Sequence, residues 1–153
     1  MDDFIKNLDE NLEYVSHEII NDFIYITIKS TRQEFNCPYC EKPSSNVHSF
    51  YPRRFQDLPI MGKKATIMID NRKIFCNNPD CNHKTFAERF NFIGEKSRRT
   101  HRLEDEILRI SLNCSSITAS ALLTKFTVNI RKSAICNLIK KTEIKEGKKS
   151  ERT

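Results

Sequence analysis

Two pairs of closely spaced cysteines place the tightest constraint on how this chain can fold. Cys37 and Cys40 enclose two residues, Cys76 and Cys81 enclose four, and 35 residues separate the pairs. A zinc ion takes four soft ligands in a tetrahedron, and a tight turn between paired cysteines aims both sulfur atoms at one ion. We therefore predict one structural Zn²⁺ bound by these four cysteines, and the spacing leaves iron open as the alternative metal.

Other interpretations of the cysteines are a thioredoxin-like redox motif, two disulfides, or unrelated buried thiols. The redox motif needs a strand–helix–strand context that the sequence lacks, and the N-terminus MDDFIKNLDE carries no export signal that would favour disulfides. His48 and His83 are spare candidate ligands that we interpret as surface or packing residues. Cys114 and Cys136 lack ligand spacing, so we interpret them as small core residues.

The net charge of +6 is unevenly distributed along the chain. Residues 1–36 hold 8 acids and 3 bases (net −5), residues 37–100 hold 6 acids and 12 bases (net +6), and residues 101–153 hold 6 acids and 11 bases (net +5). Such basic segments favour a polyanionic partner, although a charge near +6 is also ordinary for a solvated small domain. No apolar run reaches the roughly 18 residues of a membrane span, so we expect no membrane partner.

Hydrophobic periodicity divides the chain into a strand-rich part and a helical part. Apolar positions in 4–12 predict a short helix, and alternation predicts a hairpin of strands 14–20 and 23–30 around Asn21-Asp22. Further strands are predicted within 63–76 and 85–90. From Leu103 the spacing becomes helical, and this predicts helices over 102–113, from a cap at Ser115 or Ser116 to Phe126, and over 130–141.

The last two predicted helices have the layout of a helix-turn-helix. A turn at residues 127–129 joins them, and the later helix carries basic and polar residues on its outer side. In a helix-turn-helix the later helix enters the major groove of DNA. A plain three-helix bundle with a basic face is the alternative, because the turn lacks glycine.

The predicted fold class is α+β, with a small β-rich zinc-ribbon-like domain followed by a three-helix helix-turn-helix domain. The predicted segments are 1–36, a helix and hairpin packing on the zinc domain; 37–94, the zinc-ribbon-like domain; 95–141, the helix-turn-helix; and 142–153, a disordered tail.

Several segments resemble the ISL-three-type family of bacterial insertion-sequence transposases. CPYC, VHSFYPRRFQDLPI, RKIFC, NPDC and TFAERF resemble its N-terminal zinc-binding domain, and RRTHRLEDEI with ITASALLTKF…SAICNLIKK resembles its helix-turn-helix. The resemblance covers residues 1–141 and implies that the four cysteines are zinc ligands. Glu41 departs from the family, because a Gly usually follows the CPxC pair there. Arg131 stands where a Ser often begins the recognition helix, so Asn129 is the expected capping residue.

The resemblance implies the DNA-binding region of a transposase that recognises terminal inverted repeats. Family members continue into a DDE-type catalytic domain, whereas the tail TEIKEGKKSERT offers only Glu143, Glu146 and Glu151 as acids, so we expect a truncated chain that is not an enzyme as it stands. The expected partner is double-stranded DNA, with a homodimer or pairing with intact transposase left open. The expected location is the bacterial cytoplasm, at the nucleoid.

Three other functions stay open at this point. The chain could be a non-catalytic regulator or transposition inhibitor, one piece of a split transposase, or a zinc-ribbon module for protein interaction.

The expected DNA contacts lie in three places. Phosphate contacts are expected from the ribbon (Arg53, Arg54, Lys63, Lys64) and from the linker (Arg98, Arg99, Arg102). Further contacts, including those to bases, are expected from the last helix, at Arg131, Lys132, Ser133, Asn137 and Lys140. Asp57, within the DLPI segment, is interpreted as a structural residue.

Overall fold

A computed structural model describes the backbone of residues 1–150 and the side chains of residues 1–147. This part of the chain forms a five-stranded sheet, a two-stranded ribbon and four helices, in agreement with the predicted α+β class. The elements in chain order are α1 Asp2–Lys6, β1 Leu12–Ile20, β2 Phe23–Ser30, β3 Phe35–Asn36, β4 Pro43–Ser44, β5 Val47–Ile60, β6 Lys63–Phe75, β7 Thr85–Ala87, α2 His101–Ser111, α3 Ser116–Phe126 and α4 Lys132–Ser150.

The hairpin β1–β2 forms where the alternating residues predict it. Asn21 begins its two-residue turn with a left-handed φ of 53°, a conformation that asparagine tolerates well. Every second side chain of β2 then points into the core, where three isoleucines are at most 2% exposed: Ile24, Ile26 and Ile28.

A longer hairpin, β5–β6, forms the other half of the sheet. The alternating residues predict β6, but the 14-residue strand β5 was not predicted from the sequence. Pro52 and Pro59 explain why the sequence does not predict β5, because proline normally argues against a strand. β5 lies at the edge of the sheet, where a missing N–H group is tolerated. Met61 and Gly62 close the hairpin with φ angles of 50° and 73°.

The strand order is β1-β2-β6-β5, and β2 runs parallel to β6. The predicted division at residue 36 therefore runs through one continuous sheet. A single apolar core covers one face of this sheet, and it includes residues from both sides of that division, among them Ile5, Leu12, Ile26, Phe55, Ile67, Phe90 and Phe92.

Helices α2, α3 and α4 pack against one another around a second core, which includes Leu103, Ile107, Leu123, Val128 and Ile135. Thr100 caps α2 and Ser115 caps α3, each through a side-chain oxygen that accepts a backbone N–H three residues later. The cap at Ser115 agrees with the sequence prediction.

The third predicted helix differs from the structure at both ends. α4 begins at Lys132 rather than at 130, and it continues through 142–150 instead of ending at 141, so the prediction of a disordered tail from 142 is wrong for these residues. This stretch has few apolar side chains, but its Glu and Lys residues are good helix formers. Residues 151–153 of the predicted tail lie outside the described part of the chain.

The segment 94–99, where we predict a domain boundary, is held against the sheet by backbone hydrogen bonds at its C-terminal end. The backbone N–H of Gln56 in β5 donates to the carbonyl of Arg98 (2.8 Å), and its carbonyl accepts from the N–H of Thr100 (3.0 Å). The helical part therefore begins directly on the end of the β5–β6 hairpin. None of the described helices is long and apolar enough to cross a membrane.

Candidate metal centre and nucleic-acid interface

The first cysteine pair lies in the turn between β3 and β4. The N–H of Cys37 donates to the carbonyl of Lys42 (3.0 Å), and the N–H of Glu41 donates to the carbonyl of Cys37 (2.8 Å). Glu41 has a φ of 61°, in the left-handed region that glycine adopts without cost. A glycine at this position would adopt the same φ without strain.

The second cysteine pair lies in the loop between β6 and β7. Cys76 follows the last residue of β6, and its N–H donates to the carbonyl of Lys84 (2.9 Å). The N–H of Cys81 donates to the carbonyl of Asn78 (3.1 Å). Each pair is therefore held in a hydrogen-bonded turn at the end of a strand.

The four sulfur atoms converge on one point. All of them lie within 4.8 Å of one another, and the Sγ atoms of Cys40 and Cys76, from different turns, are 3.5 Å apart. Zinc–sulfur bonds of about 2.3 Å in a tetrahedron require sulfur–sulfur distances of about 3.8 Å, so the arrangement fits one zinc ion. Phe35, Ile74 and Phe86 form a small apolar core beside this cluster.

Backbone N–H groups also point at the sulfur atoms. The donor in each case belongs to the second residue after the cysteine: Lys42 for Cys40, Asn78 for Cys76 and His83 for Cys81. Such donors would offset the negative charge that thiolates bring to a bound metal ion.

The thiols respond unequally to this environment. The pKa of Cys40 falls to about 6, chiefly because its sulfur accepts the Lys42 N–H. The Asn78 N–H lowers the pKa of Cys76, but burial and the neighbouring thiols outweigh it and raise the pKa to about 12. The N–H of His83 lowers the pKa of Cys81, but burial and the thiols of Cys40 and Cys37 outweigh it, so the pKa is raised. Without metal the cluster therefore retains protons, which a bound divalent cation would replace.

His83, His48 and Cys114 make contacts away from the four-sulfur cluster. The ring of His83 stacks on Tyr39 at 3.5 Å between centroids, and His48 packs edge-on against Phe75 at 4.7 Å. Cys114 packs against the helical core, and its Sγ donates to a backbone carbonyl of α2 (3.3 Å). The interpretation of these residues as packing groups agrees with their contacts.

Two basic residues expected to contact phosphate bind the protein's own backbone. Arg53 donates to three carbonyls of the 94–97 segment at 2.8–3.3 Å. Lys63 donates to the carbonyl of Asn21 (2.8 Å). Both side chains thus tie the sheet to neighbouring loops.

Arg102, also expected at phosphate, forms a salt bridge with Asp57 instead. The Asp57 carboxylate is fully buried, and it accepts from Nε of Arg102 (2.8 Å) and from the hydroxyl of Thr100 (2.7 Å). The guanidinium also lies 4.8 Å from the ring centre of Phe4. The interpretation of Asp57 as structural agrees with these contacts, which connect β5 to the start of α2.

Lys64 reaches from β6 to the helical part. Its ammonium donates to the carbonyl of Thr124 in α3 and to Oδ1 of Asn129 (2.7 Å). Asn129 therefore does not cap α4, contrary to expectation, and the carbonyl of Arg131 accepts the first helical N–H groups.

The other expected DNA contacts are side chains on the surface. In the part of the chain with described side chains, no hydrogen bond or salt bridge engages the basic groups among them. These exposed residues are Arg54 on β5, Arg98 in the linker, and Arg131, Lys132, Ser133, Asn137 and Lys140 at and after the start of α4.

Arg99 joins the linker to the surface of α4. It lines a shallow groove of about 290 Å³ together with Ala134, Asn137, Leu138 and Lys141. The Nε atom of Arg99 is buried, and it has no hydrogen-bond partner in the described chain. Lys141 was not among the residues predicted from the sequence, although it follows Asn137 by four residues and so shares its helix face.

The comparisons with known proteins bear on the metal centre. No curated protein and no solved structure matches the chain. A family model, the zinc-finger of transposase IS204/IS1001/IS1096/IS1165, matches residues 33–81, a range that contains all four cysteines. Residues 33–81 are thus similar to the zinc ribbon of ISL3-type transposases, and their four cysteines are placed to bind one metal ion.

Proposed function

We propose that this protein binds double-stranded DNA through α4 and the adjoining linker, as the DNA-binding region of an insertion-sequence transposase. The DNA would be the terminal inverted repeats of the element. In this proposal the zinc ribbon and the helices act together, and α4 is the recognition helix of a helix-turn-helix.

The groove between the linker and α4 carries the proposal. Its polar lining consists of the donor groups of Arg99 and Lys141 and the carboxamide of Asn137, with no carboxylate among its lining residues. The guanidinium of Arg99 lines the groove, and we propose that its groove-facing N–H groups donate to a phosphate oxygen. A set of donors without a competing acid is what a nucleic-acid backbone requires.

The start of α4 supports the same assignment. Its first turn contains no acid, and Arg131 and Lys132 are exposed beside it. The positive end of the helix dipole adds to their attraction for phosphate. Ser133, Asn137 and Lys140 are spaced by four and three residues, so they share one face that could enter the major groove.

The experiment compares single variants of the zinc-loaded chain for binding to duplexes, by fluorescence anisotropy at several salt concentrations. Arg99→Gln and Lys132→Gln should each weaken binding to all duplexes and reduce the slope of log K against log salt by about 0.9. Lys29→Gln is the matched control, since Lys29 is paired with Glu13 on the opposite part of the sheet. Binding that is insensitive to salt, or equal losses in the control, would contradict the proposal.

Asn137→Ala separates base recognition from phosphate binding. If the carboxamide of Asn137 binds a base edge, this variant should bind a preferred duplex more weakly while its affinity for scrambled duplexes stays unchanged. Equal losses on both would place Asn137 at the DNA backbone and remove it from the proposed recognition surface.

We also propose that the chain does not cut DNA by itself. Glu143 and Glu146 are exposed on the polar second half of α4, and among the described residues the four cysteines form the only group of three or more His, Cys, Asp or Glu side chains close enough to hold a metal ion. Incubation of the chain with supercoiled plasmid and Mg²⁺ should leave the plasmid intact, and nicking by the purified chain would refute this part of the proposal.

A further inference from the structure

The side chain of Lys64 makes long-range contacts that the residues around it in the sequence do not predict. It follows the turn of the β5–β6 hairpin, and its ammonium lies 5.8 Å from the ring centre of Phe23. From there it donates to the carbonyl of Thr124 and to Oδ1 of Asn129. One side chain of the sheet thus binds both sides of the connection that leads into α4.

The two acceptors suit a cation. Thr124 lies in the last turn of α3, where carbonyl groups lack helical partners and carry the negative end of the helix dipole. Asn129 presents a carboxamide oxygen three residues before the start of α4. The same connection is also hydrogen-bonded to α3 itself. The hydroxyls of Ser120 and Thr124 both donate to the carbonyl of Ile130 (2.8 and 3.1 Å).

A second anchor lies beside Lys64 on the same hairpin. Asp57 pairs in register with Ala65, so Asp57 and Lys64 are near neighbours at the hairpin end. Asp57 holds Thr100 and Arg102 at the start of α2, and Lys64 holds the connection before α4. The hairpin end therefore fixes the entry points of two of the three helices.

We propose that Lys64 is a positioning residue, which fixes the α3–α4 connection on the hairpin end so that α4 meets DNA at a set orientation. The inference rests on the proposed function, and it differs from the sequence expectation that Lys64 contacts phosphate. A positioning role affects sequence preference, since base contacts depend on the angle of the helix, while phosphate contacts tolerate small displacements. A phosphate contact affects the salt dependence instead.

Two variants and a matched control separate these roles. Lys64→Met removes the ammonium and keeps the aliphatic part of the side chain. Asn129→Ala removes one acceptor without changing the charge of the protein. Lys63→Met is the control, because it removes the same charge at the neighbouring position. In the described chain the Lys63 side chain binds only the β1–β2 turn.

The first measurement needs no DNA. Amide hydrogen exchange of residues 124–131 in the zinc-loaded chain should become faster in Lys64→Met and in Asn129→Ala, and it should stay at the wild-type rate in Lys63→Met. Unchanged exchange in both test variants would overturn the proposal, whatever the protein's affinity for DNA.

The second measurement is the ratio of affinities for a selected duplex and a scrambled one, with the salt slope of each. Lys64→Met loses two hydrogen bonds from a charged group, so the ratio should fall by at least about tenfold at an unchanged slope. A slope reduced by about 0.9 with an unchanged ratio would overturn the proposal in favour of a phosphate contact. If wild-type protein binds no duplex, the proposed function fails, and with it the role of Lys64 in DNA recognition, even where the exchange data support the anchor.

Discussion

Breaking the buried salt bridge between Asp57 and Arg102 should lower the free energy of unfolding by an amount that depends on which partner is removed. The side chain of Asp57 is 0% exposed and that of Arg102 is 31% exposed. Removing one partner of a buried pair costs about 3–5 kcal/mol, because the other charge is left uncompensated. The cost should therefore depend on whether the remaining partner can reach water.

Asp57→Asn leaves the arginine, which lies near the surface and can turn into solvent. We expect this variant to lose about 3 kcal/mol of unfolding free energy, at the lower end of that range. Arg102→Met leaves a fully buried carboxylate with only the hydroxyl of Thr100 as a side-chain donor, so we expect a loss of about 5 kcal/mol. The double variant should cost about 2 kcal/mol less than the sum of the single variants, because they remove the same interaction.

Urea unfolding of the zinc-loaded protein, followed by far-UV circular dichroism, measures these differences. Arg109→Met is the matched control, since the Arg109–Glu106 pair lies on an exposed face of α2 and should change stability by at most about 0.5 kcal/mol. The reasoning is refuted if Asp57→Asn costs more than Arg102→Met, or if the costs of the two single variants add in full.

Three further predictions concern the metal centre. Cys76→Ser should abolish stoichiometric metal binding, whereas Cys114→Ser should retain one zinc per chain in mass-spectrometric metal analysis; a retained zinc in the first variant would contradict the ligand assignment. Glu41→Gly should stabilise the metal-loaded protein by about 0.5–1 kcal/mol in urea unfolding, as relief of a left-handed φ exceeds the entropic cost of glycine, and a loss of stability would refute this. Zinc affinity, measured by competition with a chelator, should fall as the pH is lowered, because protons compete for the thiols; a pH-independent affinity would argue against thiolate ligands.

The local patterns of the sequence carry much of the fold. Alternating isoleucines identify β2, helical spacing identifies α2 and α3, and the paired cysteines identify a four-sulfur cluster that the fold then assembles. These features depend on residues close together in the chain, where period and spacing report the structure directly.

Other features depend on contacts that no local pattern encodes. β5 is stable despite Pro52 and Pro59 because it occupies the edge of a sheet, which is a property of the sheet order. The basic side chains of Arg53, Lys64 and Arg102 look like surface charges in the sequence. Their partners lie more than 40 residues away along the chain, and only the folded structure brings them together.

The second half of α4 is a different case. Its low apolar content indicates disorder, but helix propensity alone favours continuing a helix that has already been started by packed residues such as Ile135. The pattern of apolar residues therefore underestimates the length of a helix that extends beyond the core.

Selection of duplexes from a random-sequence pool by the zinc-loaded chain tests the central claim most directly. If α4 and the adjoining linker recognise DNA, the selected duplexes should share a sequence motif that wild-type protein enriches and Asn137→Ala does not. Recovery of a pool with the sequence composition of the input, or no recovery at all, would contradict the account of this protein as a sequence-specific DNA-binding region.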